Sequence, residues 1–161
     1  MKRIALLMIL ALSLYSCETD DDGPTVAYDF SEITGSDLPE YFEIDEEYEI
    51  NVDYVLPSAC HTFAGLEGGQ GANEENDSIF EYYIRAVSSY DPALTECTEE
   101  SDSRTGSAKA FDNFKINSEN YSIIRFNFLS GFDSTDEPEY LTVDVPVGEP
   151  EPETPEENTN A

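Results

Sequence analysis

Residues 47–55 alternate without a break. Tyr48, Ile50, Val52 and Tyr54 fall on one side of an extended chain, and Glu47, Glu49, Asn51 and Asp53 on the other. That period of two belongs to a strand with one buried face. It returns at 79–87, where Phe80, Tyr82, Ile84 and Ala86 share a side, and at 121–130 through Ser122, Ile124, Phe126 and Phe128. Leu141, Val143, Val145 and Val147 repeat it, with the β-branched content that strands favour. Weaker strand patterns occupy 25–30 and 107–115. From residue 17 onward no stretch keeps a helical period over three turns. Turn-rich pieces at 65–76, 89–106 and 131–139 separate the strands, and no internal repeat is present. These features predict an all-β fold: a single antiparallel, immunoglobulin-like β-sandwich over 25–147, ending in a hairpin closed by 131–139.

The start of the chain bears on location. Lys2 and Arg3 precede an apolar run, Ile4 to Leu14, too short for a bilayer core that takes about 20 residues. A basic head and short apolar run read as an export signal over 1–16. Leu14-Tyr15-Ser16-Cys17 then resembles the bacterial lipobox, which implies acylation of Cys17 and removal of everything before it. Residues 17–24 form an acidic tether without apolar content. Its Asp20-Asp21-Asp22 resembles the acidic patch that follows the lipidated Cys in surface-exported lipoproteins of the Bacteroidetes. The resemblance implies an outer-membrane, lipid-anchored protein facing the cell surface; a spacer facing the periplasm is the alternative. At the other end, Pro150, Pro152 and Pro155 sit among glutamates, so 148–161 reads as a disordered acidic tail.

Charge removes whole classes of partner. The chain carries −29 at pH 7, from 36 acidic and 7 basic residues. Cleavage before Cys17 takes away Lys2 and Arg3 and no acid. Nucleic acid is excluded, because phosphate backbones require neutralising Lys and Arg. Anionic lipid head groups are excluded on the same ground, which leaves the acyl chain as the membrane contact. A basic protein, a glycan or divalent cations remain open as partners.

Of three cysteines, one is assigned to the lipid. Cys60 and Cys97 then remain in an oxidising compartment, where such a pair most often forms a disulfide; two free thiols are the alternative. The phrase 54–63, Tyr-Val-Leu-Pro-Ser-Ala-Cys-His-Thr-Phe, is similar to a segment of small flavobacterial (Bacteroidetes) surface lipoproteins. There, too, a second Cys lies in a later loop, and the C-terminal part reads like 131–147 here. The similarity spans about residues 40 to 147 and implies a β-sandwich and a surface lipoprotein, with no activity attached.

No residue constellation makes the chain an enzyme. His61 is the one histidine, and its neighbour Cys60 is spent if the disulfide forms. Without other His or Cys ligands a zinc site is not expected, and no Gly-x-Ser-x-Gly turn exists. Carboxylates are plentiful, so a two-carboxylate hydrolase remains an alternative, although most acids fall in loops or on polar strand faces. The chain has no Trp to stack on sugars; Tyr82, Tyr83 and Tyr90 are the available substitutes. Asp133, Asp136 and Glu137 form a weak calcium candidate without EF-hand spacing; no other cofactor is expected. Asp77-Ser78-Ile79 and Asp133-Ser134-Thr135 resemble the Bacteroidetes O-glycan acceptor pattern, which makes Ser78 and Ser134 candidate glycosylation sites. The expectation is a non-enzymatic, lipid-anchored surface module that binds or shields. A carboxylate-based hydrolase and a protease-inhibitor-like domain presenting the loops around Cys60 and Cys97 are the alternatives.

Overall fold

The computed structural model describes residues 25–94, 96–97, 104–118 and 120–149. The leader 1–16, Cys17 with the tether to residue 24, and the tail beyond residue 149 lie outside the described residues. Seven strands make up the described fold: β1 (Ala27–Ser36), β2 (Glu47–Val55), β3 (Thr62–Ala72), β4 (Ile79–Tyr90), β5 (Thr105–Lys115), β6 (Ile123–Phe132) and β7 (Pro138–Pro146). No helix occurs among the described residues. The all-β class and the single disulfide are thus as expected.

The pairing differs from the expectation in two respects. All seven strands join one continuous sheet, ordered β5-β2-β1-β4-β6-β7, with β3 attached to β4 as well. The expected pair of separate sheets is therefore replaced by a single connected one. Its link is β1, whose first half (Ala27 to Ser31) pairs with β4 and whose second half (Glu32 to Ser36) pairs with β2. The second difference is that β4 and β6 run parallel, from Ile79↔Ile123 to Ile84↔Phe128. All other strand pairs are antiparallel. β6 reaches β4 only after the long excursion through β5, and such a connection leaves either direction open.

A third correction concerns 65–76, expected as a turn-rich loop. Most of it belongs to β3, which pairs with β4 from Thr62↔Ser89 to Ala72↔Phe80. Gly65, Gly68, Gly69 and Gly71 hide any alternation and read locally as turns. The partner strand imposes the extended form. Gly65 (φ 149°) sits where the register shifts after Phe63, and Gly131 (φ 157°) does the same after Leu129 in β6. Both bulges need a backbone that side-chain-bearing residues rarely adopt.

The core follows from the alternation. Ile50 and Val52 of β2, Ile84 and Ala86 of β4, Ile124, Phe126 and Phe128 of β6 and Val145 of β7 are all buried. β5 and β6 stand far apart in the strand order, yet Phe114 and Phe126 have ring centroids 5.7 Å apart, and Phe111 and Phe126 6.3 Å. The sheet therefore curls until β5 covers β6. Phe42 joins this cluster, 5.0 Å from Phe114, from a segment held by Phe42 N–H donating to Pro146 O and by Gly148 N–H donating to Phe42 O. Ordered pairing thus runs to Gly148, one residue past the expected boundary. The predicted hairpin is present between β6 and β7, with Phe132↔Pro138 as its last pair.

Phe126 is fully buried, whereas Leu141, on the face expected to be apolar, is 39% exposed. Phe126→Ala should lower unfolding free energy by about 3–5 kcal/mol, and Leu141→Ala by less than about 1 kcal/mol. Urea unfolding followed by tyrosine fluorescence reads both; equal losses would contradict this assignment of the core.

Candidate functional site

Across β3-β4-β6-β7, the strand register lines up residues on the outer face. Gly71, Glu81, Arg125 and Asp144 form one row, and Gly69, Tyr83, Asn127 and Thr142 the next. Glycines at one end of each row leave backbone where side chains would stand. The result is a trough of about 670 Å³ over β3 and β4, lined by Glu67, Gly69, Gln70, Gly71, Glu74, Glu81, Tyr83 and Arg85 among others. A Cβ added at Gly69 or Gly71 would meet nothing within 4 Å. Gly68 differs, because a Cβ there would lie 2.8 Å from the Tyr83 carbonyl oxygen.

The groups along this face are largely engaged. Glu81 accepts from Asn73 Nδ2 at 2.8 Å and from the Tyr83 hydroxyl at 2.9 Å, and its Oε1 lies 3.6 Å from Arg125. Arg125 donates twice to Asp144, at 2.7 and 2.8 Å. That two-pronged bond holds the Asp144 carboxyl below its usual range. Donation to Glu81, then burial, pushes the Tyr83 phenol up. Arg85 lies 3.5 Å from Glu67 and over the Phe30 ring. Tyr83 packs edge-on against Tyr140, with centroids 5.6 Å apart. Of the three tyrosines singled out in the sequence, Tyr83 alone lines the trough. Tyr82 is half-buried against Phe126 and Phe114, and Tyr90 packs on His61.

At one end of the sheet, Cys60 and Cys97 are joined, with Cα atoms 5.4 Å apart. The bridge consumes the Cys60 thiol and closes a loop worth roughly 3–4 kcal/mol in the chain-entropy model. Beside it lies an arrangement that the sequence reading missed. The turn Ser58–His61, closed by His61 N–H donating to Ser58 O, brings the Ser58 hydroxyl 2.8 Å from His61 Nδ1. Nε2 of the same ring faces Asp29, 4.0 Å away on β1. Serine, histidine and aspartate are thus in sequence as in a hydrolytic triad, but Nε2 is beyond hydrogen-bond reach of the carboxylate. Ser58 Oγ also accepts from Cys60 N–H at 3.2 Å, and the trough is not lined by Ser58, His61 or Asp29. The cluster is built to hold the disulfide turn. The i,i+3 spacing of Ser58 and His61 around a turn after Pro57 was the available signal.

The remaining sequence candidates lie elsewhere. Ser78 and Ser134 are both exposed, as a glycan acceptor must be. Asp133 turns its carboxylate onto its own loop, accepting from Thr135 N–H, the Thr135 hydroxyl and Glu137 N–H at 2.7 to 3.0 Å. Those bonds lower its pKa and shape the turn in which Asp136 takes φ 62°. Among the described residues no three His, Cys, Asp or Glu side chains gather as a metal would require. Comparison with protein-family models, curated proteins and solved structures finds no match to this chain.

Two measurements check these assignments. Thiol labelling of the native protein should detect no accessible cysteine at 60 or 97, and Cys60→Ser, Cys97→Ser and the double substitution should lower Tm equally, since each removes one bond. Asp144 adds stability that is complete above its ordinary pKa of 3.8 and is lost as pH falls toward its depressed folded value. Asp144→Asn should therefore cost up to about 1 kcal/mol at about pH 7, and the cost should shrink as pH falls below 3.8 and through the depressed folded value.

Proposed function

We propose that the chain is a lipid-anchored cell-surface module that binds its ligand without converting it, and that the trough over β3 is its binding face. The observation that carries this reading is the bare floor at Gly69 and Gly71, beside a tyrosine ring and a row of carboxylate, guanidinium and amide groups. Exposed polar groups above a concave backbone suit a polar ligand such as a glycan or a cationic group. The nearest reactive groups are already committed: Glu81 to Asn73, Tyr83 and Arg125, and Glu67 to Arg85. The lipobox-like Leu14-Tyr15-Ser16-Cys17, the acidic tether and the flavobacterial resemblance support the surface placement.

A second reading has one observation in its favour. Glu67, Glu74 and Glu81 line a single trough, so a carboxylate-based hydrolase would have its acids there. It would require one carboxyl free to donate a proton, and Glu81 is occupied as an acceptor on every side the structure describes.

Filling the trough separates these readings from a passive spacer. Gly71→Gln should preserve or slightly raise stability, because a strand glycine costs roughly 0.5–1 kcal/mol. The same variant should abolish retention on a glycan array or on surface extracts that hold the unaltered protein. Turnover of aryl glycosides that disappears in Glu81→Gln would establish the hydrolase. Cys17→Ala should move the exported chain from the membrane to the soluble fraction; continued membrane association would discard the anchor.

A further inference from the structure

β3 and β5 are both edges: among the strands of the described residues, β3 pairs with β4 and β5 with β2. Because the sheet curls, the two edges face one another. Tyr54 of β2 marks the place, since it lies against Gly106 of β5 and stacks on Phe63 of β3 at 4.4 Å. Further along, a cleft of about 260 Å³ opens between the edges, with Leu66 and Gly68 on one wall, Ala110 and Phe111 on the other, and Tyr82 and Ile84 as its floor. Four antiparallel pairings separate β5 from β3 along the sheet, so the two edges run in the same direction. A strand laid between them in the opposite direction would be antiparallel to both.

Edge strands ordinarily carry protection against such addition. β7, the third edge, has it: Pro138 and Pro146 at its ends and Glu139 and Asp144 along it. β3 between Gly65 and Gly71 has Glu67 as its one charge. Among the described residues, no backbone bond crosses from β3, or from Ser107 to Phe111 of β5, into the cleft.

The geometry points to an extended basic peptide as the occupant, added as a strand between β3 and β5. Main-chain bonds to the edges supply affinity, and alternate apolar side chains fill the cleft over Tyr82 and Ile84. The charge of the chain selects the partner. At −29 the protein as a whole repels acidic strands and a second copy of itself, and attracts a segment whose outward residues are Lys or Arg; at the rim itself Glu67 is paired with Arg85. The cleft adjoins the trough and shares Glu67, Gly68, Gly69, Gln70 and Tyr83 with it, while Leu66, Tyr82, Ile84, Ala110 and Phe111 line the cleft and not the trough.

The test uses the exported chain in detergent and a synthetic ten-residue peptide of alternating lysine and valine. Anisotropy should show binding at least tenfold tighter than for the glutamate–valine analogue, and at least tenfold tighter than for the same peptide with alternate amides N-methylated. Hydrogen exchange should slow at amides of β3 and β5 and not along β7. Equal binding of the N-methylated peptide would reduce the effect to charge attraction and overturn the proposal. So would protection confined to β7, or edge-to-edge dimers of the chain that ignore the peptide.

Discussion

Backbone hydrogen bonding along β4 organises the molecule. One of its edges is occupied by β3 over nearly its whole length. Its other edge is divided between two strands: β6 takes Ile79 to Ile84 and β1 takes Ala86 to Tyr90. A buried strand cannot leave its N–H and C=O groups unpaired, so neither β1 nor β6 can be displaced without a replacement. Sharing that edge forces β1 to leave β4 after Ser31 and continue onto β2, which carries β5 around the core. The contact of Phe111 and Phe114 with Phe126 follows from this turn of β1. So does the cleft, because curling brings β5 toward β3 without pairing them.

The outer face depends on the same register. Parallel pairing of β4 with β6 places Glu81 opposite Arg125, and antiparallel pairing of β6 with β7 places Arg125 opposite Asp144. A one-residue slip of β6 against β4 would move Arg125 to the core side, and a slip of β7 against β6 would move Asp144 there. Arg125 is one of the few basic residues in a strongly acidic chain, and it is fixed between two carboxylates. The other carboxylates lining the trough are balanced only by Arg85, so the face as a whole stays electronegative.

The alternating segments were legible because burial on one face leaves a direct imprint. β2 has the bounds that its period of two implies, and the buried faces of β4 and β6 are the ones read from Ile84, Ala86, Ile124, Phe126 and Phe128. β3 was not legible, since Gly65, Gly68, Gly69 and Gly71 carry no pattern and its form comes from β4. Nor was the direction of β6 against β4, which depends on the path of the intervening chain and on no residue within either strand. The trough inherits both gaps, because it exists only where β3 meets β4. Of its residues, Tyr83 alone is one that the sequence offers as a ring able to meet a sugar. The Ser58–His61 contact is not apparent in the sequence, where Cys60 is the neighbour of His61, while a turn sets residue i against residue i+3.

Two kinds of glycine in this sheet clarify what β3 is shaped for. Gly68 and Gly106 are required by close packing: a Cβ on the first would strike the Tyr83 carbonyl, and on the second the Tyr54 ring. Gly65 and Gly131 are required by their backbone angles. Gly69 and Gly71 satisfy neither condition, since their surroundings are open and their φ angles ordinary. In a strand each forgoes roughly 0.5–1 kcal/mol relative to alanine. Folding alone therefore gives no reason for them, and a threonine or valine at either position would suit the strand better. What the two glycines do provide is accessible backbone beside Tyr83 and Glu81, on the only β3 face that does not point at the core. The local instability and the open surface have the same cause, which makes the trough, and not the disulfide turn, the part of the molecule whose form the fold does not explain.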